Sequence, residues 1–275
     1  MKTCKNCQSR FEGKYCNQCG QKFYTDKDKS VSSLVGESVH FLTHFEGSFF
    51  NSLRAVLFRP GKLSAEYSNG IRKKYFKPIS FYLMIIILYL IFPLFQGLNM
   101  EMRYYKNLEI SGNFIERQID EKLKEDKINE ADLAEKFHEV SAKVSKILLL
   151  IFIPFTAMFL YFLYFNKKRF MFDNFILATE FNIFYLLVFY LIFPLIYYLI
   201  IDWTGFYTTE RILGFVILSG FWIYAFIILK YIMKEKWWLT LIKSLVLIFL
   251  HSYFVMVIYK FFVFETTFFL MNYFH

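Results

Sequence analysis

The run FNIFYLLVFYLIFPLIYYLI, residues 181–200, contains no charged side chain. A membrane-spanning α-helix needs about 20 mostly apolar residues, so this run alone is long enough to cross a bilayer. Working outward, the apolar pattern extends it to 175–201. Four further segments share its character, namely 79–98, 147–165, 212–233 and 239–264. Hydrophobic residues make up 56% of the 275, more than is usual in a soluble domain. The sequence therefore predicts an all-α integral membrane protein with a five-helix transmembrane bundle.

The charges between the predicted spans alternate in sign and so predict the orientation. Residues 1–78 hold 14 Lys and Arg against 6 Asp and Glu, whereas the outer loop 99–145 holds 8 against 11. Lys and Arg are enriched in the cytoplasmic loops of membrane proteins. We therefore expect a cytoplasmic N-terminus and a C-terminus outside. This topology accounts for the net charge of +9, so nucleic acid is not a partner that we expect.

All four cysteines lie in the first twenty residues as C-x2-C-x8-C-x2-C: Cys4, Cys7, Cys16 and Cys19. Four thiolates arranged in a tetrahedron suit Zn²⁺, and such sites are closed and structural. Redox-active C-x2-C pairs and iron–sulfur ligation are the alternatives, but no thioredoxin-like βαβ pattern surrounds the pairs. Disulfides are the weaker interpretation because the cytoplasm keeps thiols reduced. The sequence predicts a zinc ribbon over residues 1–24, whose metal supplies the folding energy of a segment with almost no core.

Residues 25–78 connect the ribbon to the membrane domain, 79–275. Apolar residues recur at helical spacing over about 31–45 and again over 49–58, which predicts amphipathic helices. Such helices lie in the membrane interface or pack against the bundle. Arg59-Pro60-Gly61 then predicts a turn, and Pro78 suits the first turn of a helix. In the outer loop 99–145 the loosely helical spacing predicts a helical hairpin or extensions of the neighbouring spans.

The N-terminal 85 residues resemble a family of bacterial membrane proteins with a zinc ribbon, known only as a domain of unknown function. The resemblance rests on the cysteine pairs followed by Gly20, on His44-Phe45-Glu46-Gly47 and on Arg59-Pro60-Gly61. It also rests on Tyr67-Ser68-Asn69-Gly70-Ile71-Arg72 and Lys77-Pro78. It implies a bacterial inner membrane and a lipid bilayer as partner, and it implies no activity.

Three groups of polar residues are candidates for functional sites. A basic cluster before the first span suits contacts with the membrane interface or an anion: Arg59, Arg72, Lys73, Lys74 and Lys77. Glu180 and His251 are ionisable residues inside predicted spans, which makes each a candidate for intramembrane function. Glu37, His40 and His44 share one helix face, and an interfacial polar face is the favoured interpretation over a metal site or an acid–base site.

The sequence contains no catalytic signature that we recognise. The leading hypothesis is an adaptor or scaffold whose cytoplasmic ribbon contacts a protein partner while the bundle anchors it, and we assign no catalytic residue. The alternatives are a small transporter or channel, which needs a polar cavity around Glu180 and His251, and a lipid-modifying enzyme. The last would need Glu37, His40 and His44 to converge on a pocket or a metal.

Overall fold

The computed structural model describes residues 1–23, 47–92, 98–108, 111–167, 169–205 and 209–273. Glu37, His40, His44 and the helix predicted over 31–45 lie outside these ranges. Two compact units make up the structure. The first comprises Met1–Leu94 with Phe152–Ile248, and the second comprises Phe95–Ile151 with Phe249–His275.

The first unit begins with two short strands, β1 (Lys2–Thr3) and β2 (Arg10–Phe11), which pair antiparallel. Three helices follow, α1 (Ser48–Phe58), α2 (Lys62–Ser68) and α3 (Pro78–Ile91). Its later helices are α7 (Phe152–Leu163), α8 (Met171–Leu186), α9 (Phe193–Thr204) and α10 (Glu210–Met233). A π-helical turn, Leu187–Ile192, joins α8 to α9, so the two form one long helical rod.

The second unit contains α4 (Met102–Tyr105), α5 (Gly112–Asp126) and α6 (Glu130–Ile147). The helix α11 (Trp237–Tyr253) begins in the first unit, and α12 (Lys260–Tyr273) follows it through a second π-helical turn, Phe254–Tyr259. The core of this unit is a cluster of rings and aliphatic side chains from α4, α5, α6 and α12, centred on Tyr105, Phe137 and Phe264. The helices α5 and α6 fall where the sequence predicts helical structure in the outer loop.

Four helical stretches of the described chain are long and apolar enough to cross a membrane: Glu130–Leu163, Met171–Thr204, Arg211–Met233 and Trp237–Asn272. The last three contain the third to fifth predicted spans, and Glu130–Leu163 covers the second, 147–165, except for its last two residues. The first predicted span, 79–98, corresponds to α3, an apolar helix of 14 residues, shorter than the about 20 that a crossing needs. The structure is therefore mostly helical, with four candidate spans, and a fifth span stays a prediction.

Candidate metal centre and its docking site

The four cysteine thiols meet at the N-terminus with the spacing of a tetrahedral metal site. Their Sγ atoms all lie within 4.8 Å of one another, and the Cys4–Cys19 and Cys7–Cys16 pairs are each 3.6 Å apart. Zn–S bonds of about 2.3 Å in a tetrahedron place sulfur atoms about 3.8 Å apart, close to these values. A disulfide would need about 2.05 Å, and all four cysteines are free. The cluster therefore fits a metal ion, and its all-thiolate donor set suits Zn²⁺.

Each C-x2-C pair is shaped by a backbone turn in the left-handed conformation. The residue after the first pair, Gln8, has φ 63°, and Gly20 after the second has φ 68°. In each turn an amide bonds back to the first cysteine, Gln8 N to Cys4 O at 2.9 Å and Gly20 N to Cys16 O at 2.8 Å. The sequence predicts this freedom at Gly20, but it gives no such signal at Gln8.

Ser9 adds a hydroxyl to the sulfur cluster. Its Oγ lies 2.9 Å from Cys7 Sγ and 3.1 Å from Cys16 Sγ. The hydrogen bond with Ser9 is the main reason that the pKa of Cys16 falls to about 6, while burial raises the pKa of Cys4 to about 11. A hydroxyl that donates to a thiolate favours the ionised form that binds a metal. Sequence analysis did not single out Ser9, because a serine between two cysteine pairs carries no motif.

The N-terminal segment 1–23, for which we keep the name ribbon, is docked onto the segment that precedes α3, which we call the entry arm and define as residues 59–77. The contact is made through Gln21, which is buried. Its amide donates to Gly70 O at 2.7 Å, and its Oε1 accepts from Arg72 N at 3.1 Å and Lys73 N at 3.0 Å. Gln21 thus satisfies three backbone groups of the entry arm, which fixes the orientation of the ribbon against it.

Two close approaches add to this contact. The Lys73 ammonium donates to the carbonyl oxygen of Cys19. On the other side, Gly70 has φ 93°, and a Cβ there would lie 3.0 Å from Lys5 Cδ. Gly70 is therefore required by its backbone conformation, and a Cβ there would also press on the flexible side chain of Lys5.

Arg72 is buried in the entry arm at 7% exposure, between aromatic rings. Its guanidinium lies 4.7 Å from the ring centre of Phe172 and 5.3 Å from that of Tyr67. Cation–π contacts of this kind are stronger when the cation is desolvated. Because Phe172 is in the first turn of α8, Arg72 links the entry arm to a candidate span.

The other basic residues of the predicted cluster are less buried. Lys74 is exposed and forms an ion pair with Glu66, N–O distance 2.6 Å, while Tyr75 OH donates to the same carboxylate at 2.9 Å. Arg59 is exposed at the end of α1, and Lys77 is the residue immediately before α3. Contact of these side chains with lipid or an anion stays a prediction.

Glu180 lies on α8 with 0% exposure, and its carboxylate holds the entry arm. One oxygen accepts from Gly61 N at 2.8 Å, and the other accepts from Ser64 N at 2.8 Å and from the Ser64 hydroxyl. The first amides of a helix have no partner within the helix, and a negative charge is favourable at that end. Glu180 therefore supplies the N-terminal cap of α2 from another helix.

Gly61 explains why the arm turns at Arg59-Pro60-Gly61. Its φ is 84°, and a Cβ there would lie 2.9 Å from Tyr231 Cδ1 and 3.2 Å from Ile228 Cγ1, both on α10. With Leu63 and Tyr67 also buried, the short helix α2 is packed against α8, and Gly61 just before it approaches α10. The structure thus brings Glu180 together with the motif Arg59-Pro60-Gly61, a pairing that the sequence analysis did not foresee.

His251, the second intramembrane candidate, is buried on α11 with 1% exposure. The hydrogen bonds of Glu180 are all to the entry arm, so nothing in its geometry requires His251 as a partner.

The comparisons with known proteins point to the same stretch of chain. Residues 46–90 match a family of unknown function. Its description is "Protein of unknown function (DUF3667)", and the matched residues cover α1, the entry arm and most of α3. No curated protein and no solved structure gave a match to this chain. The family thus supports a domain of unknown function, and its matched residues include Gly61, Ser64, Gly70 and Arg72.

Proposed function

We propose that this chain is a multi-pass adaptor of the bacterial inner membrane, with a cytoplasmic N-terminus and an external C-terminus. Its cluster of four cysteines holds a structural Zn²⁺, and the ribbon presents a surface to a cytoplasmic protein partner. The observation that carries the proposal is the docking of the ribbon through Gln21. A small module attached to a membrane domain at a fixed orientation is suited to positioning a partner rather than to catalysis.

The ribbon keeps an exposed surface in addition to this contact. Tyr15 is 60% exposed, and its sequence neighbour Lys14 and the more distant Arg10 are also exposed. Tyr and Arg are enriched at the centres of protein–protein interfaces. We propose that this exposed surface, with one ring and two cations, is where the partner binds.

The interior of the bundle supports an adaptor more than a transporter. Between α8 and α10 the space is filled by rings, with Phe181 and Phe221 centred 4.4 Å apart and Phe184 stacked on Tyr224 at 3.5 Å. Both oxygens of Glu180 are already engaged by the entry arm. A transport site would need polar groups that face a water-filled cavity, whereas this carboxylate is committed to holding a helix.

The proposal is tested by placing a photo-crosslinking residue at Tyr15 in the full-length chain in its native membrane. We expect crosslinking to one cytoplasmic protein, and loss of that product in the double variant Cys16→Ser/Cys19→Ser. The matched control places the same residue at Tyr104, which is 46% exposed in the second unit and is expected outside. A product that survives loss of the cysteines, or the same product from Tyr104, would exclude the ribbon as the docking module.

A further inference from the structure

A second group of polar residues lies at one end of the helices of the first unit, apart from the ribbon and the entry arm. We call it the basic ring and define it by seven residues: Tyr164, Lys167, Arg169, Asp173, Asn174, Glu235 and Lys243. They come from the end of α7, the link to α8, the first turn of α8, the turn between α10 and α11, and α11 itself. Six of them lie at or just beyond the ends of candidate spans, which is the level of lipid headgroups, and Lys243 lies in the second turn of the span Trp237–Asn272.

In one half of the basic ring, the polar side chains are held by hydrogen bonds and ion pairs to Glu235. The Glu235 carboxylate binds the Lys243 ammonium with N–O distances of 3.0 and 3.1 Å, and its backbone carbonyl accepts from Lys230 at 2.5 Å. Lys243 also lies 4.2 Å from the ring centre of Tyr164. Lys167 reaches Glu235 only at 3.5 Å and stays 39% exposed. The Glu235 carboxylate thus serves two cations, Lys243 and Lys167, and Lys167 is the one held more loosely.

The other half of the basic ring contains buried polar atoms that no described residue satisfies. These atoms are Arg169 Nε, Tyr164 OH, Asp173 Oδ1 and Asn174 Oδ1. Arg169 is partly buried, with Nη1 4.0 Å from Met233 Sδ, and it has no carboxylate within ion-pair distance in the described ranges. Burying an Arg without a hydrogen-bonded counter-charge is costly, so the unsatisfied groups in this half of the ring favour the binding of an anionic, hydrogen-bonding ligand.

The register of the helices places two of the unsatisfied groups, those of Tyr164 and Asn174, at one level. Asn182 on α8 donates to Thr156 Oγ1 on α7 at 3.0 Å. The two helices are antiparallel neighbours. Two turns after Thr156 on one helix and two turns before Asn182 on the other, Tyr164 therefore lies opposite Asn174. Arg169 precedes Asp173 by four residues, and the two are close enough for their charges to interact. Burial lowers the pKa of Arg169, and the charge of Asp173 opposes that shift, as expected for near neighbours.

We propose that the basic ring is a binding site for a phosphate group, taken from a glycerophospholipid headgroup or from free phosphate. The guanidinium of Arg169 provides a planar set of donors that matches phosphate oxygens, and Lys167 and Tyr164 OH add donors beside it. Basic pockets between membrane helices on the cytoplasmic side commonly bind lipid headgroups. The two carboxylates of the ring limit its net charge, which favours a single phosphate over a polyanion.

The test uses the full-length chain purified in detergent and measures bound lipid by native mass spectrometry. Phosphatidylglycerol is the lipid probe, and phosphatidylcholine is the comparison. In parallel, inorganic phosphate is added and its effect on the midpoint of thermal unfolding is measured. The variants are Arg169→Gln and Arg54→Gln, which removes the same charge from an exposed position on α1 outside the ring. Should Arg169→Gln fail to accumulate, Arg169→Lys keeps the charge but not the planar fork.

We expect Arg169→Gln to weaken phosphatidylglycerol binding about tenfold, the loss of one charge-assisted hydrogen bond, with no change in Arg54→Gln. This result assigns the site to a lipid headgroup. Stabilisation by inorganic phosphate that depends on Arg169, without lipid retention, assigns it to free phosphate. Equal losses in both variants, or no effect of Arg169→Gln on either probe, would show only general surface charge and overturn the proposal.

Discussion

Substituting Glu180 by Gln tests the contact between the entry arm and the bundle. Gln keeps the shape of the side chain but replaces one acceptor oxygen by an amide group that only donates. That group would face either the Gly61 N–H or the Ser64 N–H, both now bonded at 2.8 Å. One buried amide is left unsatisfied, and a charge-assisted bond is lost. The expected cost is about 2 kcal/mol of the free energy that holds α2 in place.

Hydrogen exchange measured on the full-length protein reports this free energy directly. A loss of about 2 kcal/mol lowers the protection of the Gly61 and Ser64 amides about 30-fold, because each 1.4 kcal/mol is a factor of ten. Exchange in α6, which belongs to the second unit, is expected to stay the same. The matched control is Ser219→Ala, which removes an exposed hydroxyl on α10 that bonds only to its own helix. Unchanged protection at Gly61 and Ser64 in Glu180→Gln would refute the capping role.

Four further predictions address the ribbon and the entry arm. Cys16→Ser/Cys19→Ser should lower the zinc content, measured by elemental analysis, from one ion per chain to none, and should also raise exchange at 70–73. Gln21→Ala leaves three backbone groups unpaired, so exchange of the Arg72 and Lys73 amides should rise about tenfold or more, whereas the exposed Gln18→Ala has no effect. Gly61→Ala should lower the melting temperature, because its φ is 84° and its Cβ would meet Tyr231, whereas Gly214→Ala, with open space around it, should not. Burial tends to raise the pKa of Glu66, but hydrogen bonds from Lys74 and Tyr75 and the charges of Lys74 and Lys62 outweigh it and lower the pKa below its ordinary value. The stabilisation by this ion pair is therefore complete above the ordinary pKa of a glutamate and is lost as the pH falls through the lowered pKa of folded Glu66. Hydrogen exchange in α2 should accordingly become faster on acidification, and Glu66→Gln, which has no such ion pair, should not show this change.

Hydrophobic length and cysteine spacing carried the predictions that the structure supports. In a bilayer, the backbone N–H and C=O groups of a 20-residue apolar run must form hydrogen bonds within the protein, which an α-helix achieves by itself. The second to fifth predicted spans accordingly coincide with long apolar helices. The spacing of the four cysteines brings their sulfur atoms to metal-binding distance because two short turns suffice. Both signals are local in sequence, so neither depends on knowing which helix packs against which.

The partners of the buried polar residues could not be predicted in the same way. Glu180 bonds to Gly61 across 119 residues, and Gln21 bonds to Gly70 across 49. No periodicity in the sequence relates such positions, because tertiary packing alone decides which distant segments of the chain come into contact. The sequence indicated that Glu180 is costly in a span and that Gly61 turns the chain, but not that one satisfies the other. Gln21 gave no signal, because an amide side chain beside a zinc site is ordinary on a surface.

The π-helical turn Leu187–Ile192 gives the rod from Met171 to Thr204 an extra residue relative to a continuous α-helix. One residue of an α-helix corresponds to a rotation of about 100°, so the side chains beyond the turn are phased differently from those before it. Deleting a single residue in this turn would restore regular winding without removing any contact of Glu180. It would instead swing the far half of the rod, including Pro194 and the exposed Trp203, to a new angular position. Gaining or losing one residue in this turn would therefore change which side chains of the far half face lipid, while the half that carries Glu180 keeps its contact with the entry arm.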